Sequence, residues 1–410
     1  MRKLVALLWC SSLAAADLAQ LQQLTDHNRL FELRRELQQP GSVGADTLFY
    51  RGIAACRFGH ERDGVELLRT FLARNPDLKM LRRADEELAD AYQRLGLYKE
   101  AAEAWTEALQ MTPAGDPERE GNENSQALMV SLSGAPPETI EFGTDVPRKA
   151  TRNQIGSWNV PVQVNSFTGQ WIFDSGAGLS TLSESEARRM GLAVQKSKAW
   201  VGGSTEKRSP LHVAIARDLQ FGAAHVHSVV FLVLSDESLY LAPVRYQIAG
   251  ILGLPVIRAL GSVGISSAGD VRVHAGVAAP VGAPNLFFDG DLSIVEVDHS
   301  QRHLQMLLDT GANDTSLYPS FREALSREET ARIRSKREKR AGAGGAIQIR
   351  AEVVPALRFE ILGTPVSLKK VSMLPEQPKG ENGFRDGVVG MDALWNGFLL
   401  DFDAMRLVIQ

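Results

Sequence analysis

Along residues 17 to 113, apolar side chains recur three and four positions apart, the spacing that lines one face of a helix, and strand-like alternation is scarce. The clearest stretch runs from Ala84 to Pro113. Its small residues Ala89, Gly96, Ala101 and Ala108 permit close approach of two antiparallel helices, and Tyr92, Tyr98 and Trp105 are placed to fill the gaps beside them. Residues 114–152 then turn to Gly, Pro, Asn, Glu and Ser, which predicts a linker. Beyond it the pattern changes period. Short β-branched runs such as Val160-Pro-Val-Gln-Val, Val229-Val-Phe-Leu-Val-Leu and Leu292-Ser-Ile-Val-Glu-Val, separated by Gly-rich turns, predict strands over the C-terminal 260 or so residues. The expected fold class is multidomain α and β, helical hairpins followed by a mostly-β part.

The order of small, aromatic and terminating residues in Ala84–Pro113 resembles a tetratricopeptide repeat. Pro40, Pro76 and Pro113 recur at 36 and 37 residues, which supports reading residues 17–113 as two such units and a leading helix. The resemblance implies either a groove for a protein partner or a plain scaffold, and the sequence leaves both open.

The chain has 410 residues, 44% of them hydrophobic, enough for more than one core. A net charge of −4 argues against a protein built to grip nucleic acid. Met1-Arg2-Lys3, the apolar run Leu4 to Ala16, and Ala14 and Ala16 before Asp17 together predict a secretory signal peptide over residues 1–16. About 13 apolar residues are too few to span a bilayer, so the processed chain is expected to be secreted or periplasmic without stable membrane insertion. Cys10 would leave with the signal, and Cys56 alone cannot form an internal disulfide. The eight histidines are scattered, and neither metal nor cofactor is expected.

The chemistry lies in an internal repeat. One copy reads Trp171-Ile-Phe-Asp174-Ser175-Gly176-Ala177 and the other Met306-Leu-Leu-Asp309-Thr310-Gly311-Ala312. Each returns to an apolar pair plus glycine, Ile251-Leu252-Gly253 and Val388-Val389-Gly390, at 79 and 81 residues from its aspartate. A lone Asp-Ser-Gly is by default a turn. Two, at matched distance from matched partners, indicate a duplicated unit. In each, a carboxylate at a strand end is followed by a hydroxyl that can bond the opposite half and a glycine that permits a sharp turn. Facing one another, the two carboxyls would share one proton, supplying an acid and a base at the same pH.

On these motifs, residues 150 to 410 resemble two fused lobes of the retropepsin-like aspartic peptidases, with 153–276 as the first and 285–410 as the second. The resemblance implies a bilobal β fold and a water activated between Asp174 and Asp309, with Ser175, Gly176, Ala177, Thr310, Gly311 and Ala312 supporting the catalytic loops. It also implies a polypeptide substrate and a catalytic unit that is complete as a monomer. Glycine-tipped hairpins cover the substrate in this family, and Trp200, Gly202 and Gly203 in the first copy and Gly344 and Gly345 in the second are the corresponding substrate-binding candidates. Segment 183–192, after the first motif, is read as a short helix ended by Gly191.

Other features fit less directly. Gly253-Leu-Pro255 lacks the polar residue that Gly390-Met-Asp392 offers in the second copy. Arg327 to Arg340 carries seven basic residues against three Glu and is expected to be a solvated helix face or loop. His299 and His303 are expected at a hairpin surface. The competing function is a peptide-binding or adaptor protein that does not cut.

Overall fold

The computed structural model describes residues 17–39, 44–74, 77–144, 147–202, 208–273, 282–342, 345–377 and 384–410. Residues 1–16, read as a signal peptide, and Pro40 and Pro76 lie outside them. The fold is a series of α-helices followed by a mostly-β aspartic protease fold. Among the described residues, no helix is long and apolar enough to cross a membrane.

The helices are α1 (Leu18–Asp26), α2 (Leu30–Leu37), α3 (Leu48–Arg57), α4 (Glu61–Leu72), α5 (Leu78–Arg94), α6 (Tyr98–Met111) and α7 (Arg119–Leu132). Asp17 and Asp77 cap α1 and α5 by accepting the Ala19 and Met80 amides, each at 3.0 Å. The expected single leading helix is two, because Asn28 adopts a left-handed φ of 55° that ends α1. Glycines bring α3 and α4 together. A Cβ on Gly64 would lie 2.7 Å from the Cys56 backbone nitrogen and 2.8 Å from Gly52 O. Cys56 is therefore sealed in the helical core, and burial pushes its thiol pKa up. Between α5 and α6, Gly96 turns the chain at φ 69°, and Ala89, Ala101 and Ala108 are fully buried, as their size suggested.

The expected linker is a correction. Within 114–152 the chain forms α7 and then the first strands. Its Asn and Glu residues suggested a loop, but they are satisfied by tertiary partners: Asn122 reaches Glu86 of α5 at 3.3 Å, while Met129 and Leu132 are buried. Packing, not propensity, makes this helix.

The first β half comprises β1 (Thr139–Phe142), β2 (Arg148–Lys149), β3 (Thr151–Arg152), β4 (Trp158–Val164), β5 (Phe167–Phe173), β6 (Ser180–Ser183), β7 (Gln195–Gly202), β8 (Arg208–Phe221), β9 (Ala224–Leu234), β10 (Tyr240–Leu241), β11 (Tyr246–Gln247), β12 (Gly250–Leu252), β13 (Ser262–Ser266) and β14 (Asp270–Val273), with helices α8 (Glu184–Arg189) and α9 (Leu254–Ala259). The second comprises β15 (Leu286–Asp289), β16 (Leu292–His299), β17 (Arg302–Leu308), β18 (Ser316–Leu317), β19 (Arg334–Gly342), β20 (Gly345–Ile361), β21 (Thr364–Met373), β22 (Gly387–Val389), β23 (Gly397–Asp401) and β24 (Arg406–Ile409), with α10 (Arg327–Arg332). A nine-stranded and an eight-stranded sheet hold most of the two halves. They are joined by a five-stranded sheet ordered β2-β14-β13-β23-β24, in which Val263 pairs with Leu400 and Ile265 with Phe398. The two hairpins that close the repeats thus pair with each other.

Side chains from α2 to α5 dock on this β body. Phe31 and Phe58 pack against Phe287 at ring distances of 5.1 and 6.0 Å. A buried ion network follows. Arg57 binds Glu87 at 2.8 Å and Asp289 at 2.6 Å, Arg385 reaches Asp289 at 3.3 Å, and Glu61 binds Arg94 at 3.2 Å and Arg258 at 2.6 Å. Burial alone would lift the Asp289 carboxyl, but Arg57 and Arg385 outweigh it and hold the pKa below its ordinary value. Arg258 belongs to the first half and Asp289 to the second, so one helical surface grips both.

Two further expectations change. His299 is buried at 4% exposure, its Nδ1 2.6 Å from Arg358 O and its ring against Phe321, because inward alternation along β16 carries it into the core. His303, on the partner strand, is exposed as expected. The basic run forms α10 and then β19, where Arg334, Lys336 and Arg337 are exposed: the solvated face is largely a strand.

Gly64→Ala should force α3 and α4 apart and lower stability by about 1–3 kcal/mol, the usual cost of overpacking. Thermal unfolding of the variant should show a lower Tm than wild type, and an unchanged Tm would contradict this packing.

Candidate active site

Both aspartates sit where a strand stops. β5 ends at Phe173 and β17 at Leu308, and each is paired in parallel with a crossing strand, β12 and β22 respectively. The crossing strands supply the first anchor: the Asp174 amide donates to Leu252 O and the Asp309 amide to Val389 O, both at 3.1 Å. Each carboxylate then folds back over its own turn. Asp174 Oδ1 accepts from the Gly176 amide at 2.8 Å, and Asp309 Oδ1 accepts from the Gly311 and Ala312 amides at 2.9 Å each.

Ser175 and Thr310, both fully buried, lock the two turns together. Ser175 Oγ donates to Leu308 O at 2.9 Å and accepts from the Thr310 amide at 3.1 Å. Thr310 Oγ1 donates to Phe173 O at 3.0 Å and accepts from the Ser175 amide at 2.9 Å. Each hydroxyl thus satisfies one amide and one carbonyl that water cannot reach.

The glycines decide how close the carboxyls come. A Cβ on Gly176 would lie 2.6 Å from Asp309 Cγ, and one on Gly311 would lie 2.6 Å from Asp174 Oδ1. Each carboxyl rests on the other turn's glycine, which only a missing side chain allows. Burial first, then the Asp309 charge, pushes the Asp174 pKa well above the ordinary carboxylate range, and the two side chains hydrogen-bond to each other. The amide donors pull in the opposite direction and are outweighed.

Around this pair, each half supports the other's loop. Ser157 Oγ donates to Gly311 O at 3.2 Å and Asn313 bonds to Ile155 O, while in the mirrored place Asp291 lies against Gly178. The sequence reading did not single out Ser157, Asn313, Gly178 or Asp291. Counting four residues on from each aspartate reaches Gly178 and Asn313, so that half of the signal was present in the repeat.

The polar residue absent from the first copy has a definite role in the second. Asp392 Oδ1 accepts from the Thr315 amide at 2.9 Å and its hydroxyl at 2.6 Å. In the first half Pro255 opens α9, and the tie is the Gly253 amide donating to Ser180 Oγ at 3.0 Å. The short helix after the first motif is α8, capped by Ser183 and followed by Gly191 at φ 65°. Of the hairpin candidates, Trp200 and Gly202 lie on β7 and Gly345 opens β20, whereas Gly203 and Gly344 lie outside the described residues.

This combination of helices, β halves and facing aspartate turns is consistent with an aspartic protease fold. Residues 160–256, from β4 into α9, match the family model described as aspartyl protease, which includes the Asp174 turn and its crossing strand. The match supports an aspartyl protease family for residues 160–256. A search of curated proteins returns no match.

A carboxyl whose folded pKa is raised adds stability in its protonated form: the contribution is full below the unfolded value near 3.8 and is lost as pH rises through the folded value. Asp174→Asn removes that loss. Its Tm should exceed that of wild type at pH 7 and converge on it near pH 3, as followed by thermal unfolding across the range.

Proposed function

We propose that the chain is an aspartic endopeptidase in which Asp174 and Asp309 activate one water for attack on a peptide carbonyl. The observation that carries this reading is the contact between the two carboxyls, each resting on the other's glycine. Like charges that close favour a single shared proton. The ionised carboxylate takes a proton from water as the oxygen attacks the carbonyl carbon, and the protonated partner gives its proton to the carbonyl oxygen. Collapse of the resulting gem-diol breaks the C–N bond as the amide nitrogen receives a proton. No covalent intermediate is needed, and both half-sites come from one chain, which supports a monomeric catalytic unit. The N-terminal pattern Met1-Arg2-Lys3 followed by Leu4 to Ala16 supports export to a secreted or periplasmic location.

The purified protein should cleave an unfolded polypeptide, with kcat/KM falling as pH rises through the raised dyad pKa. Asp174→Asn and Asp309→Asn should each lower kcat by about 10²- to 10⁴-fold, the span assigned to positioned acid–base groups. A peptide carrying a secondary hydroxyl in place of the scissile carbonyl should inhibit by occupying the place of the attacking water. Binding of intact polypeptide without turnover, unaltered by either substitution, would support the adaptor reading and refute this one.

A further inference from the structure

Among the described residues, the strand β7 forms the outer edge of the nine-stranded sheet and pairs with β8 alone. An edge strand of this kind presents a row of amides and carbonyls without a ladder partner. At Trp200 the situation is sharper. Its register partner across the hairpin is Pro210, which has no N–H to give, and the backbone groups of Trp200 are turned to the outer edge. Both are taken by one side chain of α7: the Trp200 amide donates to Asn124 Oδ1 at 2.8 Å, and Asn124 Nδ2 donates to Trp200 O at 3.0 Å. A carboxamide carries a donor and an acceptor side by side, as a peptide group does, so Asn124 stands in for the missing neighbouring strand.

The contact extends along the helix. Glu120, Asn124 and Ser131 lie on one face of α7, at spacings of four and seven residues. Glu120 pairs with Arg208, whose guanidinium lies over the Trp200 ring at 4.2 Å, and Ser131 Oγ is 2.8 Å from Ser197 Oγ. Helix and strand run in opposite directions, and the two contacts, at Ser197 and Trp200, fall where the β7–β8 register shifts between Lys196 and Trp200. Ala199 is buried and Val201 partly buried in an apolar cluster that takes in Met129 and Leu132 of α7 as well as Leu179, Ile251 and Ile172, which flank the Asp174 turn and its crossing strand. In the corresponding hairpin β19–β20, the described ties run within its own half, from Ser372 to Glu338 and from Arg322 to Glu352.

We infer that Asn124 is a positioning residue for substrate binding: through Trp200 it fixes the hairpin β7–β8 as one wall of the cleft, so that the helical part sets the shape of the first half's substrate site. This rests on the endopeptidase reading for its kinetic arm alone. The helices are thereby part of the substrate site's architecture, acting through the strand they hold.

The test compares the full chain with Asn124→Ala and Asn124→Gln, the latter keeping the carboxamide one methylene further out. Amide hydrogen exchange read on a peptide covering residues 195–202 should speed up at least about tenfold in Asn124→Ala and recover partly in Asn124→Gln, while exchange in β17 stays as in wild type. With an unfolded polypeptide substrate, KM should rise about fivefold in Asn124→Ala with kcat within a factor of two, the scale of one or two lost hydrogen bonds. Unchanged exchange at 195–202 overturns the anchoring, and a fall in kcat with KM unchanged overturns the role in substrate binding. If wild type cleaves nothing, the endopeptidase reading fails, yet the exchange arm still decides whether Asn124 holds the hairpin.

Discussion

Two carboxyl groups in hydrogen-bonding contact repel one another if both are charged, and the surroundings of Asp174 and Asp309 hold them there nonetheless. The attraction needed comes from elsewhere in the turns. Amides donate to each carboxylate, and the hydroxyls of Ser175 and Thr310 each close one donor and one acceptor across the boundary between halves. Because those four bonds are fully buried, losing one would leave a polar group without water to replace its partner. The pair is thus held together by the cost of leaving buried backbone groups unsatisfied.

That constraint sets requirements on the layers outside it. The turns can face each other only if β5 and β17 end at the same depth, which the parallel crossing strands β12 and β22 secure. The halves hold their mutual orientation through the β13–β23 pairing on one side and through the helical surface on the other. The buried network around Arg57 and Glu61 is a costly way to make that surface, since each ion gives up hydration. It is self-consistent because each charge has more than one partner: Glu61 binds both Arg94 and Arg258, and Asp289 binds both Arg57 and Arg385. Such an arrangement rewards one docking geometry and penalises slippage, which suits a surface touching both halves.

The helical part thus has a structural relation to the β body that its repeat-like pattern did not disclose. Helical hairpins are commonly pictured as recruiting arms, yet here α3, α4 and α5 supply ions that bridge the halves, and α7 lies along an edge strand beside the site. Stability becomes a property of the whole chain. A change in the helical core that shifts α7 by an ångström would be felt at Trp200.

The sequence by itself determined the parts whose physics is local or repeated: the helical period of residues 84–113, the strand-ending Asp-Ser-Gly-Ala and Asp-Thr-Gly-Ala turns, and the matched spacing to Gly253 and Gly390. These were legible because a turn's residue types and a duplication's offsets survive without knowledge of neighbours. Only the tertiary structure decided that residues 119–132 are a helix and not a linker, that His299 is buried, and that Asn124 serves β7. The common reason is that a polar side chain reads as solvent-facing until its partner is known, and the partners of Asn122, His299 and Asn124 lie 36, 59 and 76 residues away along the chain.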